Sequence, residues 1–251
     1  MEVANKLLNF YIMIQWNKYL NLASPKNIKI LLWPAGAFFF LALFIKFTAE
    51  VFEDNKVQNI DQSILLYIGS HLRHNFLNGS AVDITALGSP ALIAMVSLIA
   101  IGVLVIAKDL IGALYLFLAV SGGTLWMSVL KNFMARPRPQ IISHLVEVEG
   151  LSYPSGHSLV STVTYLALAL LVCRHIKSYK IISLVLITAI LIISLIAFSR
   201  LYLGVHYPSD VLSGMLFGIS WVLMLTALFK ILARKLKFFS NQHLSSEEPA
   251  R

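Results

Sequence analysis

The chain has 251 residues, of which 58% are hydrophobic and only 13% charged, with a formal net charge of +8 and a mean hydropathy of +0.77. About a quarter of the residues in a soluble domain are charged, so this composition excludes an ordinary soluble fold and points to a helical membrane protein. The basic balance does not point to nucleic acid, because the cations follow the ends of apolar runs rather than forming one patch.

In chain order, residues 1–27 read as an amphipathic segment lying in the membrane interface, and they lack the basic start, apolar centre and cleavage site of a signal peptide. Six apolar runs follow, at residues 28–47, 84–107, 110–130, 158–173, 181–198 and 211–229. Each is long enough, or nearly so, to cross roughly 30 Å of hydrocarbon at about 1.5 Å per residue. The fourth is short and must borrow from its flanks. The pattern predicts an all-α, polytopic membrane protein of six transmembrane helices over residues 28–237, with headgroup loops at 48–83 and 140–152. Within the first loop, residues 64–77 read as an interfacial helix, and the polar tail, residues 238–251, is expected to be disordered. The single cysteine, Cys173, reads as a small apolar filler.

The cations set the expected orientation. Lys6, Lys18, Lys26 and Lys29 precede the first run, and Lys108 lies between the second and third. Arg174, Lys177 and Lys180 lie between the fourth and fifth, and Lys230, Arg234, Lys235 and Lys237 follow the sixth. Six crossings put all of these on one side, which the positive-inside rule makes cytoplasmic, with both termini.

Three polar islands fall on the other side: Lys131–Pro139 ("KNFMARPRP"), Tyr153–Ser158 ("YPSGHS") and Ser199–Asp210 ("SRLYLGVHYPSD"). Charge near a bilayer is costly unless it is clustered and used. Together they offer Lys131, Arg138 and Arg200 as cations, with Arg136 left open between a second phosphate and solvent. Several cations in one site call for an anion, and arginine matches phosphate with paired hydrogen bonds. Ser155 can cap a helix whose first amides, from Gly156 onward, point at that anion. His206 and Asp210 are spaced i, i+4, so the carboxylate can accept the Nδ1 proton and leave Nε2 bare as a nucleophile. His157 is then placed to protonate a leaving oxygen. These pieces make a phosphoryl-transfer site with a phosphohistidine intermediate.

Each piece also has a plainer reading. Lys131 and Arg138 suit headgroup anchors, Ser155-Gly156 an ordinary helix start, and His206 with Asp210 a structural cap. Gly122, Gly123, Gly214 and Gly218 read as helix-packing contacts, and His71, His74, His144, His175 and His243 as surface residues. A metal triad of His157, His206 and Asp210 is disfavoured by the surrounding cations, so no metal is expected. An acyl-hydrolase triad of Ser155, His206 and Asp210 lacks the strand–turn–helix elbow that such a serine needs. A lipid or anion transporter would account for the cations but not for a histidine poised on a carboxylate opposite a second histidine.

Lys131-x6-Arg138-Pro139, Pro154-Ser155-Gly156-His157 and Ser199-Arg200-x5-His206-x3-Asp210 resemble the three signature motifs of the type 2 phosphatidic acid phosphatase superfamily, in the same order and at the same places relative to the spans. The resemblance covers residues 61–229. It implies His206 as nucleophile, Asp210 as its partner, and His157 as proton donor. It also implies phosphate binding by Lys131, Arg138, Arg200, Ser155 and the Gly156 amide. It further implies a metal-independent enzyme with no cofactor and no obligate protein partner, acting on a lipid phosphate at the outer face of a bacterial inner membrane. Undecaprenyl diphosphate and phosphatidylglycerophosphate are the favoured substrates, with lipid A 1-phosphate removal or phosphoryl transfer to another lipid as alternatives of the same chemistry.

Overall fold

The computed structural model describes residues 28–246, with side chains over 31–233. The expected N-terminal segment, residues 1–27, and residues 247–251 lie outside the described residues. Regular structure among the described residues is all helical: α1 (Ile28–Glu53), α2 (Asn55–Tyr67), a π turn (Ile68–Leu72), α3 (Asn75–Ala86), α4 (Pro90–Ile106), α5 (Leu110–Met134), α6 (Gly156–Cys173), α7 (Tyr179–Tyr202) and α8 (Pro208–Ser246). Helix α8 continues past Lys237, where the sequence suggested that the domain ends.

The starts of these helices follow from capping. Asp54 Oδ1 accepts the Lys56 amide at 2.8 Å, Ser89 the Leu92 amide at 3.3 Å and Asp109 the Gly112 amide at 3.0 Å. Ala135, in the left-handed region at φ 47°, ends α5 and turns the chain away from the bundle.

Helices α6 and α8 form the centre, with α1 and α5 packed on α8 and α5 and α7 on α6. Their shared core includes Tyr115, Leu116, Leu159, Val163, Phe217 and Val222. In α6 61% of the span is buried, against 22% in α1 and in α7. The outer helices present large apolar side chains such as Phe38, Phe39, Leu98 and Ile106 to the surroundings, as a lipid-facing surface requires. The α6–α8 seam is close enough to need glycine. A Cβ on Gly214 would stand 2.8 Å from the Ser155 carbonyl oxygen, and one on Gly218 3.0 Å from that of Leu159. The packing role expected of both glycines is what the seam shows.

Two expectations need correction. Residues 84–107 are not one continuous helix: α3 ends at Ala86, and α4 begins at Pro90 after a turn, bent by 43°. The cause is local, since proline lacks an amide donor and Ser89 caps a new helix. With 17 residues, α4 spans about 25 Å, short of a hydrocarbon core of roughly 30 Å. Among the described residues five helices are long and apolar enough to cross a membrane, or six if the bent pair is counted as one span. The supposed loop at 48–83 is also helical, comprising the end of α1, then α2, the π turn and most of α3.

Candidate active site

All three polar islands sit at helix ends that meet at one end of the bundle. Lys131 lies in the last turn of α5, His157 in the first turn of α6, Arg200 in the last turn of α7, and Asp210 in the first turn of α8. Loop residues are stitched to them by main-chain bonds. Ser152 donates to the Arg136 carbonyl at 2.8 Å, Leu145 to that of Leu203 at 3.1 Å, and Ser155 to that of Asp210 at 3.0 Å. Tyr153 is completely buried, and its hydroxyl bonds Ser213 Oγ at 2.7 Å and Thr48 Oγ1 at 2.5 Å, which ties the loop to α8 and α1.

Where these ends meet, they enclose a cavity of about 390 Å³. Its polar wall holds Lys131, Arg138, Gly156, His157, Arg200 and His206, and its apolar wall includes Ile93, Ala94, Val120, Met127 and Val160. Cationic groups that suit an anion and apolar groups that suit hydrocarbon thus line one cavity.

His206 is buried and fixed on both ring nitrogens. Nδ1 lies 3.5 Å from Asp210 Oδ2 and 3.2 Å from Ser152 Oγ, and Ser152 Oγ makes a short bond to the same carboxylate oxygen. Asp210 Oδ2 also accepts the Tyr207 amide at 2.8 Å, while Oδ1 accepts Arg136 Nη1 at 2.6 Å. On the other side, Arg138 Nη1 stands 3.3 Å from His206 Nε2. An arginine can only donate, so this contact assigns the ring proton to Nδ1 and a lone pair to Nε2. Burial lowers the His206 pKa to about 4 against the upward pull of Asp210, so the imidazole is neutral at ordinary pH.

The direct histidine–aspartate bond expected from the i, i+4 spacing is thus shared with Ser152, which the sequence did not single out. A serine two residues before a proline carries no signal of its own. Asp61, on α2, was also missed. It accepts Arg136 Nη2 at 2.9 Å and takes both the amide and the hydroxyl of Ser209, at 2.9 and 2.5 Å. Arg136, which the sequence left open, stacks on the Tyr207 ring and bridges two carboxylates rather than facing the cavity. Burial alone would lower its pKa, but Asp210 and Asp61 outweigh burial and raise it.

The remaining candidates divide. Lys131 Nζ faces the cavity and donates to the Leu151 carbonyl at 2.5 Å. Arg200 Nη1 bonds Thr85 Oγ1 at 2.8 Å, while its buried Nε has no partner. Arg138 lines the cavity but also holds the carbonyls of Glu149, Gly150 and Val205 at 2.9–3.1 Å, so it shapes the loop as well. Ser155 is completely buried, and its Oγ accepts from the Ser158 amide at 3.4 Å and the Ser158 hydroxyl at 2.9 Å. It therefore acts as the cap of α6 and does not line the cavity, unlike Gly156. A Cβ on Gly156 would approach Met127 Sδ at 3.4 Å, so glycine keeps the helix N-terminus bare beside Lys131. His157 makes no side-chain hydrogen bond among the described residues and has Gly88 packed near its ring.

Residues 90–234 match the PAP2 superfamily. The chain is 33% identical to phosphatidylglycerophosphatase B of Bacillus subtilis, over 80% of this chain and 97% of that one. It is 37% identical to an undecaprenyl-diphosphatase of Sulfolobus acidocaldarius over 30% of this chain and 32% of the relative. The crystal structure of the transmembrane PAP2-type phosphatidylglycerolphosphate phosphatase from Bacillus subtilis superposes with a TM-score of 0.67 at 26% identity, covering 86% of this chain and 98% of that one.

Proposed function

This chain belongs to the PAP2 superfamily, and from that membership and the cavity we propose that it hydrolyses a lipid phosphate through a phosphohistidine on His206. The observation that carries the reading is a histidine whose Nε2 carries a lone pair, met by Arg138, on a cavity lined by cations and apolar side chains. In the first step His206 Nε2 attacks phosphorus. The N–P bond forms as the bond to the lipid oxygen breaks, and His157 gives that oxygen a proton. The substrate's negative charge supplies the countercharge that an imidazolium needs among Lys131, Arg138 and Arg200. Lys131, Arg200 and the Gly156 amide bind the phosphoryl oxygens, with Arg138 at their edge. Asp210 and Ser152 hold the Nδ1 proton and stabilise the ring as its charge changes. In the second step water loses a proton to His157 and attacks phosphorus. The N–P bond breaks, and inorganic phosphate leaves.

Phosphatidylglycerophosphate and undecaprenyl diphosphate are the substrates we favour. The first is supported by the relative that aligns over nearly its whole length, and the second by a shorter match. The charge distribution supports a site on the outer face of the inner membrane with both termini inside. A panel of lipid monophosphates and diphosphates, compared by kcat/KM with one preparation in EDTA, tests the assignment. The expected result is metal-independent phosphate release with one of these two lipids preferred. Activity lost in EDTA and restored by a divalent cation would sink it.

A further inference from the structure

A second pocket lies at the opposite end of the bundle, beyond the reach of the catalytic cavity. It has a volume of about 230 Å³ between α1, α5, α6, α7 and α8. Its walls are mostly apolar, including Leu170, Leu171, Ile182, Leu186 and Phe229. Two polar pairs lie there. Tyr115 and Thr226 share a hydrogen bond of 2.9 Å, and Arg174 forms an ion pair with Asp109.

The other cation of the pocket is Lys230. It is only 5% exposed and lines this pocket. Among the described residues its one partner is the face of Trp33, 4.5 Å from Nζ to the ring centroid. A cation–π contact uses no ammonium proton, so among the described residues Lys230 has no hydrogen-bond acceptor. A cation in a mostly apolar pocket of a membrane-spanning helix is expensive unless an anion meets it. With Asp109 set against Arg174, Lys230 is the cation on the wall without a carboxylate among the described residues. An apolar groove with one such cation at its rim, between transmembrane helices, has the chemistry of an anionic phospholipid site.

We propose that this pocket binds an anionic phospholipid, with the headgroup phosphate on Lys230 and part of an acyl chain against Leu171, Leu186 and Phe229. The site is separate from catalysis and goes beyond the hydrolytic reading.

Purified full-length protein in a neutral detergent is titrated with phosphatidylglycerol or phosphatidylcholine, and the lipid retained is counted by native mass spectrometry. The expected result is one phosphatidylglycerol held in preference to phosphatidylcholine, with an apparent Kd weakened about tenfold by Lys230→Gln and kept by Lys230→Arg, the loss of one charge-assisted hydrogen bond. Leu186→Trp, which fills the groove from a half-buried position, is expected to displace the lipid without touching the charge. Should Lys230→Gln fail to fold, the Leu186→Trp and Lys230→Arg arms decide the question alone. Lys131→Gln controls for binding in the catalytic cavity and is expected to keep the preference. The proposal is overturned by equal retention of the two lipids, or by a preference that survives both Lys230→Gln and Leu186→Trp. A preference lost only in Lys131→Gln overturns it too. So does no uptake of either lipid, the outcome if a segment of this chain or a second copy fills the groove.

Discussion

His206 and His157 face one cavity from walls built on opposite plans. Behind His206, Ser152, Asp210, Arg136, Asp61 and Ser209 form a continuous chain of hydrogen bonds and ion pairs. Around His157 the network is sparser: the imidazole has no hydrogen-bond partner among the described residues, and Lys131 and Arg200 have as their nearest partners the Leu151 carbonyl and the Thr85 hydroxyl. In the proposed reaction the satisfied wall would hold the nucleophile through both chemical steps. The sparser wall would meet the phosphoryl oxygens, the leaving group and water. On that reading, preorganisation is spent on the nucleophile.

The largest test of that contrast is His206→Ala, which removes the group the satisfied wall exists to hold. Phosphate release from a lipid phosphate is expected to fall by about 10⁴-fold or more, and the labile phosphoenzyme trapped by rapid quench should vanish with it. His157→Ala is expected to cost about 10²–10⁴-fold on a lipid substrate. It should cost far less on p-nitrophenyl phosphate, whose leaving group needs no proton, and an equal loss on both substrates would remove His157 from the acid role. Ser152→Ala loosens the nucleophile from behind, with kcat expected to drop about 10–100-fold while KM changes little. A change confined to KM would contradict a positioning role.

Asp61→Asn reaches the same chain one bond further out. It leaves the half-buried Arg136 with Asp210 as its single carboxylate among the described residues, and thermal unfolding should show a loss of about 1–3 kcal/mol with a smaller loss of activity.

The smallest expected effect is in the pH profile. Burial holds the His206 pKa near about 4, so Nε2 keeps its lone pair through the neutral range. For the free enzyme, kcat/KM is expected to stay level below pH 6.5, the ordinary histidine value, and to decline only as pH falls toward 4. The same shift makes stability fall over that window, because the unfolded chain takes up a proton that the folded one refuses. An acid limb at the ordinary histidine value would show that His206 is less enclosed than its wall implies.

Much of this was legible in the sequence because the motif residues occupy helix ends, where spacing alone fixes which groups face the same way. Lys131, His157, Arg200, His206 and Asp210 needed little more than span order to be brought together. The satisfied wall was hidden for the converse reason. Asp61 meets Arg136 and Ser209 across a long stretch of chain, and nothing local marks an acidic residue on an amphipathic helix as a partner in such a network. Arg136 could not be read for the same cause, since its role depends on where α2 docks. Ser155 is the helix cap that the sequence also allowed and does not line the cavity, while Arg138 lines it and holds loop carbonyls too, because residue type announces phosphate without showing which groups the backbone takes. The broken second span was misread because apolar composition runs unbroken across Gly88-Ser89-Pro90, although Ser-Pro is itself a helix-start signal.

The glycine seam between α6 and α8 divides motion unevenly between the two sides of the cavity. The Ser155 amide, bonded to the Asp210 carbonyl at 3.0 Å beside backbone packed on Gly214 and Gly218, belongs with the slowest-exchanging protons of the molecule. The two motif helices are thus joined main chain to main chain, whereas the turn of Leu87, Gly88 and Ser89 against His157 is held to α6 by the Tyr165 hydroxyl on the Leu87 carbonyl. Side chains can be exchanged at that turn more freely than at the seam that carries His206 and Asp210.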